Sequence, residues 1–384
     1  MKKAVYTSAA ALMMIVPAIM LAAGANAETV PAWTVMVYLD GDNDIEDFAI
    51  ADLAQMTATG SSADVNVVVL ADTLTGPADL LYLTGGEAQT LQEWGEVPMD
   101  EGATLTRFIT TAGALYPAER TALVLWDHGG GVTGLCWDDT SGADEHITLP
   151  ELRTALTEAG RTYDLLVFNA CMMAQAEIAF QVQGFADVLV FSEDIMSGSA
   201  YDWTEVLRDL ETDPTMDGMA LGLLMAANYA EQMQDYDGSL WTMSVCDTSM
   251  VQAVADAFKA AAAAQLGALD LYANELRECR NKAEEVENYD PVDVIEYMSL
   301  VASNEDIEDE TVRSTAAAVV AAVEQAIVYD WELKWVEDLN GLGVFFPRKS
   351  LMDSWDAFGD EYSALPFCEY TGWDEFLRAY YASG

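Results

Sequence analysis

Two residues that could act as a nucleophile and its base each follow a predicted strand. His128, one of only two histidines in the chain, comes directly after the apolar run TALVLWD at 121–127. Cys171 comes directly after the apolar run DLLVFNA at 164–170. A thiol becomes a strong nucleophile when it loses its proton, and a neighbouring imidazole can accept that proton. Side by side, the two residues would support nucleophilic catalysis.

The glycines after His128 add a second element of such a site. Gly129 and Gly130 carry no side chain that would block an approaching carbonyl group, and glycine tolerates unusual backbone angles. The backbone amides of Gly129 and Cys171 are the predicted donors of an oxyanion hole. Cys171 also begins a predicted helix, whose N-terminal dipole would favour a thiolate. The alternative is that both side chains are structural, since cysteine is often a small buried hydrophobe.

The elements that must position these residues read as an α/β fold. Short apolar runs alternate with helix-like segments, which predicts a mostly parallel central sheet with helices on both faces. The strand-like runs lie at 33–40, 64–72, 121–127, 164–170 and 186–194. Ligands of such sheets bind beyond the carboxyl ends of the strands, and a right-handed crossover would place His128 and Cys171 on the same edge. We therefore expect the two side chains to share one site.

The ends of the chain predict its organisation. Lys2 and Lys3, a long apolar run and the small-residue ending at Ala25 and Ala27 predict a signal peptide at 1–27, and hence a secreted or periplasmic protein. An uncleaved membrane anchor is the alternative. We expect a catalytic domain at 28–248. A mainly helical C-terminal region follows at 249–384, with a late strand at 341–347 that packs on the catalytic domain.

Composition limits the classes of partner. The formal net charge is −49, and so acidic a chain repels nucleic acid and anionic membranes. We expect no nucleic-acid partner and no membrane insertion once the signal peptide is removed. The five cysteines are an odd number, so an exported chain leaves at least one thiol unpaired. No CxxC spacing occurs, which argues against a zinc site.

An acidic segment raises the question of a metal ion. The sequence DGDNDIED places Asp40, Asp42 and Asp44 at alternate positions, and such oxygens suit calcium. Ile45 stands where a calcium-binding EF-hand loop needs glycine. We expect no required cofactor, with weak calcium binding at these three aspartates as one interpretation and a cap for the following helix as the other.

Six stretches in order resemble one protein family. They are TVMVYLDGDNDIED, LVLWDHGGG, DLLVFNACMMAQAEIAF with its Glu177, VLVFSED, GLGVFFP and YTGWDEFL. Together they resemble the clostripain family of cysteine peptidases, which has a caspase-like three-layer α/β sandwich. The resemblance runs from about residue 33 to residue 381. It implies an endopeptidase that acts on a peptide or protein substrate, with an acyl-enzyme on Cys171 and His128 as general acid/base. We expect the protein to be a monomer.

The sequence departs from this family at the substrate pocket. Family members usually carry an aspartate two residues before the cysteine, at the floor of the pocket that selects arginine or lysine. Asn169 occupies that position here, and an amide cannot neutralise a buried guanidinium. Glu193, Asp194 and Asp202 follow the next strand, so any of them is a candidate substitute.

Two other functions compete with peptidase activity. A catalytically degenerate relative could bind peptides or cell-surface partners, which the altered Asn169 slightly favours. A general α/β protein that binds a small ligand would leave the unpaired thiol unexplained.

Overall fold

A computed structural model describes residues 30–141, 145–235, 241–283, 291–333, 339–348 and 361–383. The predicted signal peptide at 1–27 lies outside the described residues. Thirteen strands are found among the described residues. They are β1 (Trp33–Gly41), β2 (Val65–Thr73), β3 (Gly76–Thr84), β4 (Glu87–Gly95), β5 (Arg120–Trp126), β6 (Leu135–Trp137), β7 (His146–Ile147), β8 (Leu165–Asn169), β9 (Val188–Phe191), β10 (Thr242–Asp247), β11 (Pro291–Asp293), β12 (Ile327–Glu332) and β13 (Gly343–Phe345).

Helices follow most strands of the first half and dominate the second half. In the part of the chain that the structure describes they are α1 (Glu46–Thr59), α2 (Gly102–Leu115), α3 (Leu149–Ala159), α4 (Ala176–Val182), α5 (Trp203–Thr212), α6 (Gly218–Met233), α7 (Val251–Lys282), α8 (Val294–Ser303), α9 (Glu310–Ala326), α10 (Pro366–Thr371) and α11 (Trp373–Ala382).

Nine of these strands form one central sheet in the order β12–β10–β9–β8–β5–β1–β2–β3–β4. The five strands from β9 to β2 are parallel. The pairs at both edges are antiparallel. The α/β class predicted from the sequence is confirmed, but the parallel pairing is confined to the centre of the sheet. Strand β3 follows β2 through a tight turn, and so short a connection allows only antiparallel pairing.

Both faces of the sheet are covered, which makes three layers. Side chains of a strand alternate between faces, so Met36 and Tyr38 of β1 enter one apolar core while Val35 and Val37 enter the other. Helices α1, α5 and α6 cover the Val35 face. Helices α2 to α4 and α7 to α11 cover the Met36 face. This double cover explains why the central strands read as continuous apolar runs.

The C-terminal region is mainly helical, as the sequence predicts, but it is joined closely to the rest. Strand β12 pairs with β10 and so extends the central sheet. Strand β13 lies within the predicted late strand at 341–347 and pairs with β11 in a separate two-stranded sheet. The backbone N–H of Phe345 donates to Glu177 Oε1 of α4 at 3.0 Å. The predicted division at residue 248 stays a prediction.

Within the described ranges, the structure holds no helix with both the length and the apolar character needed to cross a bilayer.

Candidate active site

The site lies where β5 and β8 end, at the carboxyl edge of the parallel part of the sheet. Trp126 and Asn169 are the last paired residues of these neighbouring strands, and the Asp127 N–H donates to the Asn169 carbonyl at 3.3 Å just beyond them. His128 lies two residues after Trp126, and Cys171 lies two residues after Asn169. Parallel pairing therefore brings together the two residues that the sequence singled out.

A cavity of about 260 Å³ lies at this edge. Its walls come from the ends of β5 and β8, from the start of α1 and from the segment after β9. The lining residues are Ile45, Trp126, Asp127, His128, Asn169, Ala170, Cys171, Ile195, Met196, Ser197 and Gly198. Both candidate catalytic side chains line the same cavity, which leaves room for a ligand beside them.

The imidazole of His128 is held by a carboxylate of the segment for which the sequence predicts either weak calcium binding or a helix cap. Nε2 of His128 lies 2.8 Å from Asp44 Oδ1. Since a carboxylate only accepts, the proton of the neutral ring sits on Nε2 and leaves Nδ1 as the basic nitrogen. Nδ1 makes no hydrogen bond with another described residue. Asp44 is 85% exposed and His128 38% exposed, so the pair borders the solvent.

Cys171 differs from the other four cysteines. All five are described and none forms a disulfide, but Cys171 alone is only partly buried. Its Sγ accepts a hydrogen bond from the Met196 N–H at 3.1 Å. Burial raises the pKa of the Cys171 thiol, and the Met196 amide opposes that shift. The residue is partly exposed, and the backbone N–H groups of Met196 and of Cys171 itself favour the anionic form of the thiol.

Gly129 packs directly on the backbone of Cys171. A Cβ at this position would lie 2.1 Å from the Cys171 carbonyl oxygen and 2.8 Å from the Cys171 nitrogen. Only glycine allows so close an approach. The N–H groups of Gly129 and Cys171 donate to no other described residue, so both remain available to an incoming oxygen.

The helix predicted to start at Cys171 begins later. Helix α4 starts at Ala176, and the preceding turn contains Met172 with a φ of 60°. The N–H groups of Met172 and Ala174 donate to the carbonyls of Asp194 and Ser192. These bonds to the chain after β9 replace the helical pattern, so a helix dipole at Cys171 is a wrong expectation.

Asp127 organises the loops around the site rather than the imidazole. Its Oδ1 accepts from Asn43 Nδ2 at 2.6 Å, and its Oδ2 accepts from the Trp137 N–H. Burial raises the pKa of Asp127 well above its ordinary value. The same Asn43 Nδ2 also donates to the Trp137 carbonyl at 2.8 Å. The loop that carries Asp44 is thereby fixed to the loop that follows His128.

The predicted substrate-pocket residues occupy different places. Asn169 lines the cavity beside Cys171. Glu193 and Asp194 are fully buried and lie outside the lining; Glu193 Oε2 accepts from the Gly341 N–H, and Asp194 Oδ1 accepts from the Ile195 N–H. Asp202 caps α5 and lines another cavity of about 330 Å³. Of these four residues, the structure brings only Asn169 to the candidate site.

The three aspartates of the predicted calcium segment do not form one site. Asp40 lies near Asp127 and Cys136, whereas Asp44 contacts His128. Asp42 instead belongs to a cluster of four carboxylates whose ligand atoms lie within 4.8 Å of one another, formed by Asp42, Asp72, Glu96 and Asp138. The alternative role as a helix cap is not observed either, since α1 begins after Ile45 without a side-chain cap.

A larger cavity of about 560 Å³ lies between the starts of α2 and α3, and His146 lines it. It contains neither Cys171 nor His128. We assign the candidate site to the smaller cavity because the residues with nucleophile and base chemistry line it.

Sequence reasoning missed two parts of the site. Asp44 was not recognised as the partner of His128, although β1 and β5 both end at this edge and strand order would have revealed it. The segment from Ile195 to Gly198 was also missed. It follows β9, the next parallel strand, and carries no residue type that indicates chemistry.

The fold and the site together define an α/β sandwich with a cysteine and a histidine at the carboxyl ends of adjacent parallel strands. A model of the clostripain family matches residues 37–380, so the chain belongs to the clostripain family. It is 27% identical over 216 residues to clostripain of Hathewaya histolytica, a match that covers 45% of this chain and 41% of that protein. The chain therefore spans about two fifths of the length of that curated relative.

Solved structures show the same fold. An inactive zymogen C11 protease from Parabacteroides distasonis matches with a TM-score of 0.69 at 18% identity. A secreted C11 cysteine protease from Bacteroides thetaiotaomicron, in complex with an irreversible peptide inhibitor, matches with a TM-score of 0.70 at 18% identity. Each match covers 89% of this chain and 99% of the other.

Proposed function

We propose that the protein is a cysteine endopeptidase that cleaves peptide bonds through an acyl-enzyme on Cys171. One observation carries this proposal. Cys171, the one cysteine that is not buried, lines the same cavity as His128. Asp44 holds Nε2 of that histidine. Family membership supports the same chemistry.

The arrangement assigns a role to each group in the reaction. His128 Nδ1 takes the proton of the Cys171 thiol, and the sulfur attacks the carbonyl carbon of the scissile bond. The oxygen becomes negative and accepts from the N–H groups of Gly129 and Cys171. His128 then returns its proton to the leaving amine as the C–N bond breaks. Water, deprotonated by His128, hydrolyses the thioester and regenerates the thiol.

The relatives support the substrate class and the location that we propose. One solved relative is described as secreted and holds a peptide inhibitor, which supports a peptide or protein substrate and an exported enzyme here. The signal peptide at 1–27 belongs to this proposal. So do the monomeric state and the exclusion of nucleic acid, the latter because of the acidic charge.

The proposed chemistry requires no cofactor, because a thiol and an imidazole suffice for acyl transfer. A calcium ion fits the carboxylates of Asp42, Asp72, Glu96 and Asp138 better than it fits the predicted set. Asp42 Oδ1 and Asp72 Oδ2 are buried and accept no hydrogen bond from another described residue, and oxygens in that state suit a cation. We place the weak calcium binding there, as a structural ion.

Covalent labelling tests the proposal. We expect a peptide acyloxymethyl ketone to modify Cys171 in the native protein, located by mass spectrometry of the digest. Cys171→Ala should abolish labelling, and His128→Ala should slow it by roughly 100-fold or more, as expected for loss of a general base. Cys246→Ala is the matched control. The Cys246 thiol is buried and should not react, so this variant should be labelled at Cys171 as fast as the native protein.

The competing function, a peptide-binding protein without activity, predicts a different result. Peptides would bind, but no probe would react at Cys171 and no peptide bond would be cleaved. Failure of labelling across probes with basic, acidic, polar and apolar side chains would decide in its favour.

A further inference from the structure

The cavity beside Cys171 has a polar group on its wall that nothing in the protein satisfies. Asn169 is 7% exposed and lines the cavity. Its side-chain amide makes no hydrogen bond with another described residue, and it is not among the polar groups that the described residues seal off from the surroundings, so it faces the open space. A polar group that lines a cavity without a protein partner is open to water or to a ligand. The Asn169 amide therefore offers a donor and an acceptor to a ligand in this cavity.

Large apolar side chains form another part of the wall. Trp126, Ile45, Ile195 and Met196 line the cavity. The indole N–H of Trp126 donates to Asp52 Oδ2 at 2.9 Å, which fixes the ring. Such walls suit the aliphatic part of a long side chain.

No carboxylate on this wall is free to neutralise a cation. Among the described residues that line the cavity, Asp127 is the one acid. Both of its oxygens already accept hydrogen bonds, from Asn43 Nδ2 and the Trp137 N–H. Asp44 lies at the solvent and is turned to His128. A guanidinium or ammonium group in the cavity would lose its hydration without gaining an ion pair.

We propose that this cavity receives the side chain of the residue whose carbonyl is attacked, and that it selects an uncharged side chain and rejects arginine and lysine. The inference rests on the proposed peptidase function, because only an attacked carbonyl at Cys171 places that side chain in this cavity. Asn169 is the selecting residue. Its amide can donate to and accept from a neutral polar group such as a carboxamide or a urea, whereas it cannot balance a charge.

A matched pair of substrates tests the selection without any mutation. Citrulline has the length and shape of arginine but carries a neutral urea in place of the guanidinium. In two peptide–aminomethylcoumarin substrates that differ only in arginine or citrulline before the fluorophore, we expect kcat/KM to be at least tenfold higher for citrulline. A third substrate with glutamine should also exceed one with lysine at least tenfold.

The variant Asn169→Asp supplies the converse test. A carboxylate at this position would pair with the guanidinium, so the preference between arginine and citrulline should reverse. Iodoacetamide needs no specificity pocket, so labelling of Cys171 while the four buried cysteines stay unmodified shows that the variant is folded.

The outcomes separate the two proposals. An equal or higher rate for arginine in the unaltered enzyme overturns the selectivity and leaves the peptidase function standing. Absence of cleavage of all four peptides, together with no labelling by the acyloxymethyl ketone series, overturns the peptidase function itself.

Discussion

The contact between Asp44 and His128 determines which nitrogen of the imidazole can exchange a proton. With Nε2 bound to the carboxylate at 2.8 Å, Nδ1 remains for the Cys171 thiol. In the proposed reaction, the carboxylate would also stabilise the imidazolium that forms when the thiol is deprotonated. Because Asp44 is 85% exposed, water screens the pair and its contribution is that of a surface ion pair.

Asp44→Ala should therefore lower kcat by roughly fivefold, the upper range for an exposed pair, and leave KM unchanged. Asp44→Asn should recover most of the rate, because its side-chain oxygen still accepts from Nε2. Steady-state kinetics on one peptide substrate measure both. Asp47→Ala, which removes an exposed acid nearby in α1, is the charge-matched control. Full kcat in Asp44→Ala would contradict the positioning role.

At the scale of elements, the ladder between β5 and β8 fixes the distance from the imidazole to the thiol. Gly129 packs against the backbone of Cys171. A Cβ on Gly129 would lie 2.1 Å from the Cys171 carbonyl oxygen, so this position requires glycine.

Gly129→Ala should consequently push the His128 loop away from Cys171. We expect loss of most labelling at Cys171 and a free energy of unfolding lower by about 1–3 kcal/mol, as for other overpacked sites. Gly267→Ala is the control, because a Cβ there meets nothing within 4 Å and the helix α7 gains stability from alanine. Wild-type labelling by Gly129→Ala would show that the loop tolerates displacement.

The sequence predicts the individual strands of the central sheet but not the contacts that depend on strand order. Apolar runs identified β1, β2, β5, β8 and β9, and the crossover rule placed His128 and Cys171 on one edge. The partner of His128 needed the strand order, because β1 is distant from β5 in sequence and adjacent in space. The start of α4 was predicted five residues early, since the helix formers after Cys171 are overridden by backbone bonds to the chain after β9.

Across the whole molecule, the acidic character extends into the interior. Burial raises the pKa of Asp52, Glu177 and Asp293 to about 7. In the unfolded chain these groups lose their protons near pH 4. Between about pH 4 and pH 8 the folded protein therefore binds more protons than the unfolded chain, and its stability falls as the pH rises.

Thermal unfolding should show this dependence. We expect Tm to be highest near pH 4 and to fall by roughly 5 °C or more by pH 8, since each kcal/mol moves Tm by a few degrees. Differential scanning fluorimetry at constant ionic strength measures the slope. Glu177→Gln keeps the hydrogen bond from Tyr362 Oη and removes one titration, so its slope should be shallower. A Tm that rises from pH 5 to pH 8 would refute the assignment.

The pairing of β5 with β8 has one more consequence, for engineering. The intervening chain ends α3 at Gly160, in a left-handed conformation, and turns through a partly exposed loop at 160–162 before β8 begins. Since the ladder and the contacts at the opposite edge of the sheet set the geometry of the two reactive groups, extra sequence inserted into this loop should be tolerated. The loop thus offers a grafting point for an affinity tag or a fluorescent domain, away from the reactive edge of the sheet.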